Sequence, residues 1–485
     1  MNRKSARYPL PLGQVRIEDS FWTPYTQLVT KQIPPYQYQV LQDALPDVPE
    51  SHCIENFRIA AGESEGKFRG WVFQDTDLAK WLEAVAFSLH YEKNPQLEET
   101  ADGLIALVGR AQQENGYLNT YFSTLHPGHQ YCNLKEGHEL YTAGHFIEAA
   151  VAYYEATGKD SLLNIMRRCA DHICQVFTTE EYADAVPGHE EIELALVKLY
   201  RVTGEQKYAD MALEFVNRRG CSDYLSREHT LPRFVDVWHD RNPYLPQYGQ
   251  AHKPVREQTT AEGHAVWALY LYTAMADLAG LYQDEGLLAA CENLYENITQ
   301  KRMYITGGVG SSGVLERFTT DYDLPNDTAY AESCASIALA MFCRRMSAIT
   351  GDAKYMDTAE RALMNTVLSG VSLDGKRVVM GIRPEDIYDS EHDLQQHPES
   401  QMEVKITGYE LLGSEVLLYF GLRNEKPTEK HRQFSDEDDS NVKKALFTAK
   451  VDARTTARYG SKIIVALDPE KIHVFDKETE QAIVH

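Results

Sequence analysis

Nowhere in the 485 residues does an apolar run reach the roughly 18 to 20 residues that a membrane-spanning helix needs, so no transmembrane segment and no membrane insertion are expected. The opening Met1-Asn2-Arg3-Lys4-Ser5-Ala6-Arg7 runs into Tyr8-Pro9-Leu10-Pro11 without an apolar h-region, so no secretory leader is expected either. Basic residues are in deficit. Lys and Arg number 48 against 72 Asp and Glu, a formal charge of −24. Such a surface repels phosphate backbones and anionic lipid, which argues against nucleic acid as a partner and for a neutral small molecule. Cysteine is sparse: Cys53, Cys132, Cys169, Cys174, Cys221, Cys291, Cys334 and Cys343 are scattered, no two are adjacent, and none follows Cys343. They lack disulfide-framework spacing and are expected to be mostly small buried residues in a reducing, cytoplasmic setting.

What is present is mainly helix. From about residue 77 to 370 apolar residues recur at helical spacing, as in Leu78-Ala79-Lys80-Trp81-Leu82-Glu83-Ala84-Val85-Ala86-Phe87 and Ile192-Glu193-Leu194-Ala195-Leu196-Val197. A weak repeat runs through it. Tyr154-Glu155-Ala156-Thr157-Gly158-Lys159-Asp160 resembles Tyr200-Arg201-Val202-Thr203-Gly204-Glu205-Gln206 and Ser347-Ala348-Ile349-Thr350-Gly351-Asp352-Ala353. In each a helix ends on a glycine suited to a left-handed cap, and a second amphipathic helix follows within a few residues. Links this short imply antiparallel hairpins, and hairpins over some 300 residues imply an α/α toroid or an α-solenoid. The irregular spacing, with His- and Gly-rich loops between hairpins, favours a closed barrel whose loops build one pocket. The character changes after Val371-Ser372-Leu373-Asp374-Gly375-Lys376. Met402-Glu403-Val404-Lys405-Ile406-Thr407, Glu415-Val416-Leu417-Leu418-Tyr419-Phe420 and Lys462-Ile463-Ile464-Val465-Ala466-Leu467 are short and β-branched, and predict a small β-barrel or sandwich. Between them Ser435-Asp436-Glu437-Asp438-Asp439-Ser440 reads as a solvated acidic loop.

Several motifs have the makings of chemistry. Ile305-Thr306-Gly307-Gly308-Val309-Gly310-Ser311-Ser312-Gly313-Val314-Leu315-Glu316 has a phosphate loop's glycines, but no Lys-Ser or Lys-Thr follows, so nucleotide binding is rejected. Glu316, on a glycine-rich loop, is either a general acid beside a pocket or a surface carboxylate. Asn326 or Asp327 is a candidate cap for the helix that follows. Glu332 and Cys334 offer a carboxylate and a thiolate for a metal. On a regular helix they point apart, so a shared metal needs a helix end there; otherwise they are a solvated Glu and a core Cys. His138, His189 and His264 each follow a glycine at an apparent helix start. They suit either hydrogen bonding to a polyhydroxyl ligand or capping and core packing. Trp71, Tyr117 and Trp238 are candidates for stacking on sugar faces or for the core.

Together these segments resemble the zinc-dependent β-L-arabinofuranosidases, glycoside hydrolase family 127. The resemblance runs from Val15-Arg16-Ile17-Glu18-Asp19-Ser20-Phe21-Trp22 to about Lys376. Gly137-His138-Glu139-Leu140-Tyr141, Gly188-His189-Glu190-Glu191, Glu262-Gly263-His264-Ala265 and Asp323-Leu324-Pro325-Asn326-Asp327-Thr328-Ala329-Tyr330-Ala331-Glu332-Ser333-Cys334 carry it. It implies an (α/α)6 barrel, a small carbohydrate substrate and a retaining mechanism. It also implies Glu316 as general acid/base, Glu332 and Cys334 as zinc ligands, and His138, His189 and His264 as sugar contacts. The family's nucleophile is a zinc-bound cysteine in an adjacent Cys-Cys pair beyond the Ser-Leu-Asp-Gly stretch. No such pair exists here, so the expected zinc site is incomplete.

What stands in its place resembles another family. Gly381-Ile382-Arg383-Pro384-Glu385-Asp386-Ile387, Tyr409-Glu410-Leu411-Leu412-Gly413-Ser414-Glu415 and Ala466-Leu467-Asp468-Pro469-Glu470-Lys471-Ile472-His473-Val474-Phe475-Asp476 look like the OB-like, TOBE-type C-terminal part of bacterial sugar-importer ABC ATPases. The two resemblances imply a fusion near Lys376 of a barrel, residues 1–376, with a partial OB-like domain, residues 377–485. The functions implied are a β-L-arabinofuranosidase by descent, a catalytically inactive sugar-binding fusion, an importer regulatory fragment, or an inverting glycosidase pairing Glu316 with Glu190 at roughly 6.5–9.5 Å. Self-association as a homo-oligomer stays open.

Overall fold

Five long helical hairpins organise the first part of the chain. They follow three helices, α1 (Trp22–Lys31), α2 (Ile33–Leu41) and α3 (Cys53–Ala60). The hairpins are α4 (Asp75–Tyr91) with α5 (Pro95–Ala111), α7 (Glu139–Thr157) with α8 (Ser161–Phe177), α9 (Ile192–Thr203) with α10 (Gln206–Arg218), α12 (Ala265–Tyr282) with α13 (Glu285–Asn297), and α14 (Ser333–Thr350) with α15 (Lys354–Arg361). Two short helices, α6 (Thr120–Leu125) and α11 (Tyr224–Arg227), sit in the connections. This computed structural model describes residues 14–46, 48–238, 244–326, 329–371, 378–381, 384–412, 415–421, 447–468, 471, 473–476 and 482–484. Asp327, Lys376 at the expected junction and the acidic run 435–440 lie outside the described residues.

Residue pattern decides which helix of each pair lies inside. Along α12, 14 of 18 residues are buried, and along α7, 14 of 19. Helices apolar on every side must be covered on every side. In α8 the buried residues Leu162, Leu163, Met166, Cys169, Ala170, Ile173 and Phe177 form a single stripe, so its other face meets solvent. Accordingly α4, α7, α9, α12 and α14 pack in sequence as neighbours, each backed by its own hairpin partner. These five hairpins, with α1, α2 and α3 packed on α4, make a barrel of the (α/α)6 type. The repeat read from the sequence marks its inner-to-outer turns. Gly158, Gly204 and Gly351 cap α7, α9 and α14 at φ 75°, 74° and 72°, and their amides bond Tyr154, Tyr200 and Ser347 carbonyls at 2.8, 2.7 and 2.8 Å.

The chain separates into two compact units. One is Met1–Leu324 with Ala329–Gly370; the other is Pro325–Thr328 with Val371–His485. In the second, β2 (Ile387–Tyr388), β3 (Gln401–Leu412), β4 (Glu415–Phe420), β5 (Phe447–Asp452) and β6 (Lys462–Leu467) form an antiparallel sheet of order β2-β6-β3-β4-β5. A further sheet joins β1 (Val378–Gly381), β7 (His473–Asp476) and β8 (Ala482–Val484) in the order β1-β7-β8. β3 serves two neighbours, pairing β6 over Gln401–Lys405 and β4 over Ile406–Leu412, with a register shift between Ile406 and Gly408. Such a shift bends a strand, as a small coiled barrel requires. Alternate residues Val416, Leu418 and Phe420 of β4 enter a core with Ile387, Val404, Ile406, Ala449, Val451, Val465 and Leu467.

Candidate active site

Inner-helix N-termini gather at one end of the barrel. His138 is the N-cap of α7, His264 of α12 and Glu332 of α14, while His189 stands three residues ahead of α9. The rings converge: His138 and His189 centroids are 5.5 Å apart, and His189 and His264 6.1 Å. Trp267 stacks on His264 at 4.9 Å, and Tyr141 lies 3.9 Å from His189. The three histidines keep 7%, 8% and 7% of their surface, so each reaches the space between the loops with only its tip.

Hydrogen bonds fix the tautomers. His138 Nδ1 lies 2.6 Å from the Glu136 carbonyl and His189 Nδ1 2.8 Å from the Glu190 carbonyl. A carbonyl only accepts, so both Nδ1 atoms carry hydrogen and both Nε2 atoms are acceptors. Burial pushes the His138 imidazole down to about 4 and that of His189 well below its usual value, so both are neutral. His264 is the reverse. Its Nδ1 accepts the Val266 amide at 3.2 Å, so Nε2 carries hydrogen and donates it to Glu316 Oε2 at 3.0 Å.

Glu316 is brought there by irregular backbone. Ser312 and Arg317 bond each other across a tight turn, Arg317 pairs antiparallel with His264, and the Phe318 amide bonds the Gly263 carbonyl at 2.9 Å. Leu315 and Glu316 at the tip have φ 63° and 50°. The left-handed region is uncommon for such residues and each costs of order 1 kcal/mol, so the flanking pairs hold the turn in place. Opposite, Ala331 and Tyr330 amides bond the Gly310 and Ser311 carbonyls. That places the Tyr330 hydroxyl 2.5 Å from Glu316 Oε1 and 3.4 Å from Glu332 Oε2. The His264 and Tyr330 hydrogen bonds hold the Glu316 carboxyl at about 2, against the opposing push of partial burial. Glu316 is therefore an anion.

Glu332 and Cys334 occupy the helix end that a shared ligand would require: Glu332 has extended backbone and Cys334 is the second residue of α14. Burial raises both groups, with the Glu316 charge next for Glu332 and the Glu332 charge next for Cys334. Among the described residues no group of three His, Cys, Asp or Glu is arranged to hold a metal ion.

Two sequence expectations, on Asn326 and Glu190, are corrected, and for Tyr117 the structure decides between the two readings the sequence left open. The helix after the 322–332 segment begins at Ser333 with Glu332 as its N-cap, so Asn326 does not cap it. Tyr117 is a core residue, 1% exposed, whose hydroxyl bonds Glu139. Glu190 is wholly buried with its carboxylate 2.9 Å from Nη1 of the equally buried Arg219, so it cannot activate a water for Glu316. Tyr330 and Tyr141 were not singled out in the sequence. Tyr330 stands two residues before Glu332, and Tyr141 falls one helical turn after His138, where Lys80 Nζ bonds its hydroxyl at 2.8 Å.

Two further buried polar side chains brace the histidine loops. Glu228 accepts the Leu134 and Lys135 amides at 2.8 Å each, ahead of His138. Arg219 donates to the Pro187 carbonyl at 2.7 Å, ahead of His189. Between them Gly188 lies so close to Leu134 that a Cβ would stand 2.0 Å from its carbonyl oxygen. The two loops touch through that glycine.

The site is thus a carboxylate, a tyrosine and three histidines at or near the inner-helix N-termini of an α/α barrel. Residues 14–402 match the model of the β-L-arabinofuranosidase GH127 catalytic domain, and the chain belongs to that family. The non-reducing end β-L-arabinofuranosidase of Bifidobacterium longum subsp. longum is 39% identical over 382 residues, 75% of this chain and 58% of that protein. The chain thus spans less than two thirds of that relative's length. The crystal structure of a GH127 β-L-arabinofuranosidase from Geobacillus stearothermophilus T6 superposes with a TM-score of 0.72 at 39% identity, over 94% of this chain and 81% of that one. The C-terminal part is similar to a different group. The oligosaccharides import ATP-binding protein MsmX of Bacillus subtilis is 36% identical over 109 residues, 22% of this chain and 24% of that protein. No helix among the described residues is long and apolar enough to cross a membrane.

Proposed function

We propose that the barrel recognises a terminal β-L-arabinofuranosyl group and, in this chain, holds it without cleaving it. The observation that carries this is the convergence of Glu316, held by His264 and Tyr330, with the acceptor nitrogens of His138 and His189. Two imidazole acceptors, one imidazole donor and an anionic carboxylate suit the hydroxyls of a small sugar, which donate and accept in turn. By descent the reaction is hydrolysis with retention, with Glu316 as acid/base. Retention requires a nucleophile on the opposite face of the anomeric carbon, and the family's Cys-Cys pair has no counterpart here. Structural and catalytic zinc take at least three protein ligands, and Glu332 with Cys334 supplies two. We therefore read the zinc site as incomplete and derive no step through it.

On this reading the junction lies near Lys376, and the β-unit is the TOBE-type part of an importer ATPase. The eight unpaired cysteines support a reducing, cytoplasmic setting. The test is calorimetric titration of the purified chain with methyl β-L-arabinofuranoside. Saturable binding that is weakened in His138→Ala and His189→Ala supports the proposal. No heat of binding, or equal binding by both variants, overturns it.

A further inference from the structure

At the end of the barrel away from the histidines, one carboxylate serves three arginines. Asp277 of α12 pairs with Arg201 of α9 at 2.7 Å and with Arg345 of α14 at 3.4 Å, one on each carboxylate oxygen. These are consecutive inner helices. Asp277 stands 13 residues beyond His264 on α12, about 20 Å along the helix axis, so the cluster is separate from the sugar site. Arg344, next to Arg345, is half-buried and has no hydrogen bond or ion pair among the described residues. The charges that bear on it are those of Arg345, Asp277 and Arg201. Three cations against one carboxylate leave two positive charges uncompensated, in a chain whose formal charge is −24. The partial negative charge of a helix C-terminus does not make up the difference. It fades within the last turn, and Arg344 stands six residues before the end of α14. Burial and the Arg345 charge pull the Arg344 guanidinium down to about 10. Its nitrogens are nonetheless not sealed from solvent.

We infer that Arg344, with Arg201 and Arg345, forms a binding site for a dianionic phosphate group at the far end of the barrel. A guanidinium presents parallel N–H donors that match two oxygens of a phosphate, and it stays charged at neutral pH. A phosphate carries close to two negative charges there, which balances the cluster in one step. Asp277 takes one edge of Arg201 and one of Arg345 and leaves their other N–H donors free for a ligand. Free phosphate and the phosphate of a phosphorylated sugar share this chemistry. The inference is independent of the reading of the histidine site.

Calorimetric titration of the whole purified chain, in buffer free of phosphate and sulfate, tests this with inorganic phosphate and with ribose 5-phosphate, against chloride at equal ionic strength. One saturable site per chain is expected. Arg344→Gln is expected to weaken it at least tenfold, and Arg344→Lys, which keeps the charge but not the fork, by a smaller factor. Melting temperature gives a second readout. Phosphate is expected to raise it in the native chain and not in Arg344→Gln. Tighter binding of ribose 5-phosphate assigns the site to a phosphorylated sugar, and equal or tighter binding of inorganic phosphate assigns it to the free ion. His138→Ala is expected to leave phosphate affinity within about twofold, since the two sites are far apart. No saturable binding up to about 10 mM, binding unchanged in either Arg344 variant, or binding lost in His138→Ala overturns the inference.

Discussion

His264 gives its single ring hydrogen to Glu316 at 3.0 Å because the Val266 amide already occupies its other nitrogen at 3.2 Å. The bond is thus set by the first turn of α12, before any ligand arrives. With the Tyr330 hydroxyl on its other oxygen, Glu316 is held as an anion. A proton donor for glycoside cleavage needs the opposite, a carboxyl raised toward neutrality. His264→Phe removes this clamp while keeping a ring to stack on Trp267. It is expected to raise the Glu316 pKa by a unit or more, read by carboxyl NMR, with little change in thermal stability. An unchanged pKa would show that Tyr330 alone sets the charge.

Gly188 is the contact between the two histidine loops. A methyl group there meets the Leu134 carbonyl oxygen at 2.0 Å, and backbone must move to admit it. Gly188→Ala is expected to lower stability by about 1–3 kcal/mol in urea and to weaken sugar binding at least tenfold, with helical circular dichroism unchanged. Wild-type affinity in that variant would mean the loops are set independently.

Glu228 is wholly buried and bonds two backbone amides ahead of His138. Glu228→Ala removes the acceptor of both, at an expected cost of about 2–4 kcal/mol, while Glu228→Gln keeps one acceptor oxygen and is expected to lose about half as much. Denaturant midpoints of the two variants decide this, and equal midpoints would contradict it.

His138 gives the pH dependence. Burial lowers its pKa from 6.5 to about 4, so in the unfolded chain it takes a proton that the folded chain refuses. Its contribution to stability is complete above pH 6.5 and is lost as pH falls toward 4, about 3 kcal/mol in full. Asp75 and Glu139, raised by burial to about 6 and about 8, act with the opposite sign and favour the fold as pH falls. Sugar affinity is the cleaner readout. It is expected to be flat above about pH 6 and to fall as pH approaches 4, where protonation fills the acceptor nitrogen. A midpoint near the ordinary histidine value would contradict the buried, neutral assignment.

Much of this was legible in the sequence. The Gly158, Gly204 and Gly351 repeats mark helix ends because a left-handed cap has a residue signature. The change to strands beyond residue 377 is written in β-branched alternation. His138, His189 and His264, each after a glycine at a helix start, and Glu316, on a glycine-rich loop, stand out as candidates by that local pattern, and the family resemblance gives them their expected roles. What a local pattern does not carry is which side chain faces which. Glu190 sits beside His189 in the chain yet turns to Arg219, 29 positions later. Tyr117 carries the same stacking chemistry as Trp71 but is drawn inside by its bond to Glu139. Tyr330 reaches Glu316 only because residues 310–311 and 330–331 pair across the loop.

The account's central claim is that this site holds a sugar without cleaving it, and release of the phenol from an aryl β-L-arabinofuranoside by the purified chain tests it most directly. Little or no release above the uncatalysed rate is predicted, with or without added zinc, and no difference between the native chain and Glu316→Gln. Zinc-dependent turnover that vanishes in Glu316→Gln would contradict the account and would mean that another group has taken the place of the missing nucleophile.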